Sequence, residues 1–243
     1  MEGPSLILLK EELSDFIGNR ISGVGGNTLK IEKERLKNKV IRDIRTWGKH
    51  LIFEFDKFSL RIHFLMYGSY RINERKPGKK ARLCFKTRSG ELNFYNCSVK
   101  FIEEPLNEAY DWKADLMGDE WDEELAIKRV KEYPEEEIGD VLLDQDIFAG
   151  LGNIMKCETL YNVSIHPETK VKKLSDKEIK NLVSEARAYA FEFYGWKRIF
   201  ELRKHWKIYK QKTCQDTGEK VTLKKTGKKN RRSFICEAKQ KKK

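Results

Sequence analysis

The segment Leu142-Leu143-Asp144-Gln145-Asp146-Ile147-Phe148-Ala149-Gly150-Leu151-Gly152-Asn153-Ile154 carries residue types that can do chemistry on an anion. Gly150 and Gly152 let another backbone approach closely, and Asn153 stands where a helix begins. Amides at a helix N-terminus, with small residues beside them, form a phosphate site. The same Gly-x-Gly spacing also serves a tight turn between two helices, so on these residues alone both readings stand. Cysteines are the second chemical feature. Cys84, Cys97, Cys157, Cys214 and Cys236 are odd in number and widely scattered. That argues against a disulfide framework and for reduced thiols in a cytosolic or nuclear compartment.

Charge points the same way as the glycines. From Arg203 to Lys243 there are 16 Lys/Arg against three acids, whereas the preceding residues hold 34 basic and 35 acidic groups. Nearly the whole net charge of +12 therefore sits in the last sixth of the chain. Such a field attracts polyanions and gains from counterion release on phosphates, although a solvated basic tail has the same composition.

The elements that must position these groups follow from periodicity. With 243 residues, 39% hydrophobic and 36% charged, the chain has material for one large or two ordinary domains. Leu6, Leu9, Leu13, Phe16 and Ile17 fall on one helical face over residues 5–17, with Gly18 as a stop. Short β-rich runs follow at 40–45, 51–55, 59–64, 82–85, 92–95 and 99–102, with Ser89-Gly90 as a hairpin turn, and this spacing predicts a sandwich or barrel. The pattern changes near Pro105. An acidic stretch, residues 119–124, reads as a linker and helix start, and helices are expected at 138–144, 154–161 and 175–194. Ser175 and Glu178 form a capping box for the last. Strand-like pieces return at 220–223 and 233–236 around a Lys/Gly-rich loop, 224–230. No apolar run is long enough to span a bilayer, and Leu6-Ile7-Leu8-Leu9 is too short for a signal peptide, so an intracellular protein is expected.

Read on to Glu158-Thr159-Leu160-Tyr161 and Ser164-Ile165-His166-Pro167, the glycine segment resembles the helix–two-turns–helix motif of the Fpg/Nei family of DNA glycosylases. The match runs from Leu142 to Pro167 without a gap. It implies an α+β fold: an N-terminal two-layer β-sandwich with an N-terminal helix (1–115), a helix–two-turns–helix DNA-binding domain (116–210), and a C-terminal β-hairpin finger with a basic tail (211–243). By the resemblance Gly152 and Asn153 hold phosphates flanking a lesion. His166 is kept as a structural polar residue.

The resemblance extends to the start of the chain. The family's mature chains begin Pro-Glu-Leu-Pro or Pro-Glu-Gly-Pro; here Met1-Glu2-Gly3-Pro4 puts Met1 at the nucleophilic proline. A primary amine can still attack the deoxyribose C1′ and hold the opened sugar as a Schiff base. An α-amine with an ordinary pKa of about 7.7–8.0 is partly neutral near physiological pH. Glu2 would carry protons to the ribose oxygen or from C2′. Gly48-Lys49-His50-Leu51 is similar to the family's "G-K-Y/H-L" strand, which gives Lys49 a phosphate beside the lesion. Residues 62–69 resemble "I-H-L-G-M-S-G-S", which makes Met66 the wedge filling the gap of a flipped nucleotide. Of the family's "N-D-P-R-R-F" loop only Asn96 and Phe101 remain, with Val99 at an arginine position. In the finger, Cys214 and Cys236 each keep one cysteine of a Cys-x-x-Cys pair. A metal-free hairpin is therefore expected, with zinc held by other ligands as the alternative. Counting back from Cys236 gives Arg231 as the finger arginine, with Arg232 as its substitute.

The implied function is removal of oxidised bases, with strand cleavage at the abasic site, by a monomer acting on double- or single-stranded DNA. Only 19 residues separate the helix at 175–194 from Cys214. The family's 8-oxoguanine enzymes carry a longer loop there. The short connection favours oxidised pyrimidines, formamidopyrimidines or hydantoins. The place of action would be the nucleoid or the nucleus. The alternatives are a damage- or abasic-site-binding protein of the same fold without glycosylase activity, and a general basic RNA-binding protein.

Overall fold

The computed structural model describes all residues 1–243. They divide into two compact units, one made by Met1 and residues 5–111 and the other by residues 2–4 and 112–243.

The chain opens with α1 (Gly3–Glu12), continued by a single 3₁₀ turn at Ser14–Phe16. Leu6, Leu9, Leu13 and Phe16 are buried, as their spacing predicts, whereas Ile17 lies past the 3₁₀ turn and is exposed, and Gly18 at φ +78° ends the helical path. Six antiparallel strands follow: β1 (Gly23–Gly25), β2 (Asp43–Trp47), β3 (His50–Glu54), β4 (Ser59–Ile72), β5 (Leu83–Thr87) and β6 (Gly90–Ile102). Their order is β1-β5-β6-β4-β3-β2. The runs expected at 92–95 and 99–102 are one continuous strand, β6. It pairs with the similarly long β4 along both halves, and the register breaks between Phe64 and Ser69.

That break bends the sheet upon itself. Phe53 of β3 lies three strands from β5 in hydrogen-bonding order, yet its ring meets Phe85 edge-on at 5.2 Å. Two layers thus enclose one core, which includes Leu51, Phe53, Leu60, Ile62, Phe85 and Phe94. After β6 comes the short α2 (Leu106–Ala109).

The second unit is helical. In α3 (Glu123–Lys131) the acidic run does what its composition predicts, and the Asp122 carboxylate accepts from the Leu125 amide at 2.9 Å. Then come α4 (Ile138–Val141), α5 (Asn153–Asn162) and α6 (Asp176–Arg198), the last opened by the expected capping box of Ser175 and Glu178. Leu142, Phe148, Leu151, Met155, Leu182 and Ala186 lie fully buried in its core. A hairpin, β7 (Thr222–Thr226) and β8 (Arg231–Ile235), completes the chain. No helix is long and apolar enough to cross a membrane.

Candidate active site and nucleic-acid interface

In the helical unit the site is built around Glu2. Only 8% of this residue is exposed, and its carboxylate accepts from the amides of Ile154 (2.8 Å) and Met155 (3.3 Å). These are among the donors that the first turn of α5 leaves unpaired, and the helix dipole favours a negative charge there. The amides that the sequence suggested for phosphate are thus engaged by a carboxylate from the chain's own start. Glycine is required beside it, because a Cβ on Gly152 would lie 2.3 Å from the Glu2 Cδ. Gly3 donates its amide to the Gly150 carbonyl at 2.9 Å, and a Cβ there would meet the Gly150 Cα at 2.9 Å. Gln145 fastens the two turns: it donates to the carbonyls of Leu143 and Leu151 and accepts from the Gly150 amide. The sequence reading left Gln145 without a role.

The finger is laid along α5. Asn153 Nδ2 donates to the Arg232 carbonyl at 2.9 Å, and the buried Lys156 Nζ donates to Ser233 Oγ at 2.8 Å. Burial lowers the pKa of Lys156, and the charge of Arg231 adds to the effect. At the far end of the hairpin, Asp140 accepts from the Lys228 amide. Arg231 and Arg232 point their side chains into solvent at the start of β8. Glu158, fully buried, accepts from the amides of Lys207 (2.9 Å), Ile208 (3.0 Å) and Tyr209 (2.7 Å). Burial raises its pKa despite those three bonds. This carboxylate fixes the connection from α6 into the finger, a task its place in the motif did not announce. His166 is buried and its Nδ1 accepts from the Glu168 amide, the structural role its position suggested.

Zinc, which the finger of this fold would hold, does not fit the donor set. Cys214 and Cys236 supply two thiols, and the positions three residues on are Thr217 and Lys239. The Lys239 ammonium lies 4.1 Å from the centre of the Tyr161 ring and pairs with Asp216. No third His, Cys, Asp or Glu joins the two cysteines.

In the sheet unit, Lys49 occupies the two-residue turn between β2 and β3, with Gly48 at φ +51°. His50 and His63 face each other across β3 and β4, with ring centres 5.2 Å apart. Burial drives the His50 pKa down to about 3, and the charges of Arg61, His63 and Lys49 reinforce it. Burial also lowers the His63 pKa, with help from Arg61, Lys49 and the Met1 amine. Both rings are neutral at pH 7. The cations around them create a local positive field suited to an anion.

Met66 sits on the β4 bulge between Leu65 and Tyr67. All three apolar side chains are exposed, Met66 to 68% and Tyr67 to 92%. Tyr67 adopts φ +63°, a conformation costly for a bulky residue. Asn96 Nδ2 holds the bulge through the Met66 carbonyl at 2.5 Å, and Gly68 passes too close to Leu65 and Asn96 to carry a Cβ. Phe101 is not brought to this point. It pairs with Leu60, packs its ring on Phe58 at 5.1 Å and carries the Arg35 guanidinium above it. Five strand residues, about 16 Å, separate it from Asn96. Val99, in the arginine position, is buried, and Phe101 is partly so. Residues 96–101 form strand where the resemblance expected a loop, so Phe101 is core packing here.

The comparisons agree with this architecture. The family model described as "Formamidopyrimidine-DNA glycosylase N-terminal domain" matches residues 8–101, and that described as "Formamidopyrimidine-DNA glycosylase H2TH domain" matches residues 114–190. Endonuclease 8-like 3 of Mus musculus is 32% identical over 205 residues, covering 81% of this chain and 34% of its own. The chain thus spans about a third of the length of that relative. Formamidopyrimidine-DNA glycosylase of Bacillus subtilis is 32% identical over 163 residues, covering 63% of this chain and 59% of its own. Among solved structures, the Lactococcus lactis formamidopyrimidine-DNA glycosylase bound non-covalently to DNA containing an AP site superposes with a TM-score of 0.87. Its identity is 24%, and both chains are fully covered. At 24% identity that likeness speaks for the fold.

Proposed function

Because the chain belongs to the Fpg/Nei family, we propose that it removes damaged bases from DNA and cleaves the strand at the resulting abasic site. The observation that carries this reading is the clamp on Glu2, held by the amides of Ile154 and Met155 one residue from the Met1 amine. In the proposed reaction that amine attacks the deoxyribose C1′ and the base leaves with a proton. Glu2 takes the proton that the attacking amine loses and passes it to the ribose oxygen as the ring opens to a Schiff base. Loss of a proton from C2′ then expels the 3′ phosphate by β-elimination. A carboxylate fixed by two backbone amides pays no reorganisation cost at each transfer.

Other surfaces fit the same reading. Lys49, Asn153, Arg231 and Arg232 would bind phosphates, Gly152 would leave the room at the helix start that the Glu2 carboxylate fills, and Met66 would fill the gap of a flipped nucleotide. The connection after α6 is shorter still than the sequence suggested, residues 199–213, and it supports oxidised pyrimidines, formamidopyrimidines or hydantoins as substrates. Borohydride trapping on an oligonucleotide with one abasic site tests the proposal. A covalent adduct through residue 1, formed by the wild type and lost on blocking the amine, is the expected result. Tight binding with neither adduct nor strand cleavage would instead mark a damage-binding protein of the same fold.

A further inference from the structure

The finger places two thiols together where a metal would otherwise tie its turns. The Tyr161 hydroxyl lies 3.3 Å from Cys214 Sγ, and the Thr217 hydroxyl lies 3.4 Å from Cys236 Sγ. Thr217 belongs to the turn that Cys214 begins, so its contact sets the Cys236 sulfur against that turn, and both thiols lie in one buried cluster. Both residues start a tight turn: Gly218 N bonds back to Cys214 O, and Lys239 N and Gln240 N bond back to Cys236 O. The pair sits in a small apolar cluster with Cys157, Tyr161, Ile208 and Val221. Its cover is thin, since Thr217 is itself exposed.

We infer that Cys214 and Cys236 form an oxidation site, in which hydrogen peroxide converts the two clustered thiols into a disulfide that staples the finger. Cys214 is the attacking sulfur. Burial pushes its thiol up, but hydrogen bonds from Cys236, Thr217 and Tyr161 outweigh this and bring it to about 7, while burial and Cys214 hold Cys236 above its usual value. The Cys214 thiolate takes an oxygen from the peroxide, the O–O bond breaks, and the first water leaves. Cys236 then displaces the hydroxyl of the Cys214 sulfenic acid, the S–S bond forms, and a second water leaves. Two thiols are oxidised and one peroxide is reduced. Cys157, bonded at 3.8 Å to the Arg232 carbonyl and with its thiol pushed up to about 11 by burial, takes no part.

The test treats the full chain with hydrogen peroxide, denatures it, and counts free thiols with N-ethylmaleimide by intact mass. The expected product is 2 Da lighter before labelling and takes up three maleimides in place of five. A peptide joins Cys214 to Cys236, and dithiothreitol reverses the change. In Cys236→Ser the reaction should stop at a Cys214 sulfenic acid that dimedone captures. The oxidised wild type should also resist tryptic cutting of the 224–230 turn at least threefold longer. Crosslinks through Cys157, or five maleimides after a dose that oxidises free glutathione, overturn the oxidation site. A tryptic half-life unchanged by the disulfide overturns the staple. The wild-type measurements stand even if Cys236→Ser does not fold.

Discussion

The carboxylate of Glu2 fills the space that a side chain on Gly152 would need, with 2.3 Å between the Glu2 Cδ and a Cβ at residue 152. Gly152→Ala should therefore expel the Glu2 carboxylate from the start of α5 while leaving its chemistry unchanged. We expect strand cleavage at an abasic site to fall about 100-fold or more, the scale of a lost proton carrier. Glu2→Gln should lose a comparable amount, and combining the two should cost little beyond either alone. An alanine variant with wild-type cleavage and wild-type thermal stability would disconnect Gly152 from Glu2.

The neutral His50 sets a pH dependence on stability. Between its ordinary value of 6.5 and about 3, the unfolded chain binds a proton at this position and the folded chain does not. Stability contributed by His50 is therefore present above pH 6.5 and is lost as the pH falls, by roughly 3 kcal/mol at pH 4. His50→Phe removes that term. Melting curves from pH 7 to pH 4 should show a smaller drop for the variant than for the wild type, and parallel curves would refute the assignment.

On the proposed reading, Tyr67 trades local stability for contact with DNA. At φ +63° it bears a backbone cost of about 1–2 kcal/mol that glycine avoids, although glycine's greater unfolded freedom offsets part of the gain. Tyr67→Gly should be about 0.5–1 kcal/mol more stable in urea denaturation. The same change should weaken binding to abasic-site DNA about 5- to 50-fold, the range for one lost stacking contact. Met66→Ala should weaken binding without the gain in stability. Equal affinity in both variants would remove this bulge from the DNA interface.

Glu158 is a structural keystone for the finger. Glu158→Ala leaves the amides of Lys207, Ile208 and Tyr209 without their acceptor, at a cost of about 3–5 kcal/mol. Hydrogen exchange should rise at residues 207–209 and along β7 and β8 before it rises in β3 or β4. Exchange that rises evenly across the chain would show that Glu158 does not act on the finger in particular.

Much of this was written in local sequence. The apolar spacing of α1, the Ser175 capping box and the Asp122 helix start are set by neighbours within four residues, and each is found where expected. What escaped depended on distant partners. Strand β1 has three residues, two of them glycine, and exists because β5 pairs with it. The expected break within β6 is absent because β4 pairs with residues on both sides of Asn96. Glu2 was singled out by its place in a motif, but its bonds cross 152 and 153 residues, and no local pattern encodes them. Phe101 matched a motif letter, and the continuity of β6 carried it to the margin of the core beside Phe58. Glu158 was in view as part of a motif, yet its three amides come from about 50 residues downstream.

The close packing of Gly3 on Gly150 works as a ruler. Sliding the chain by one residue in either direction would set Glu2 or Pro4 against Gly150, and both carry the Cβ that this spacing rejects. The peptide unit ahead of Glu2 is therefore metered out from a fixed mark by backbone length. Such a device is indifferent to whether that residue is proline or methionine. It is strict about count: one extra residue would carry the terminal nitrogen up to about 3.8 Å further out. The identity of the first residue can drift while its position does not.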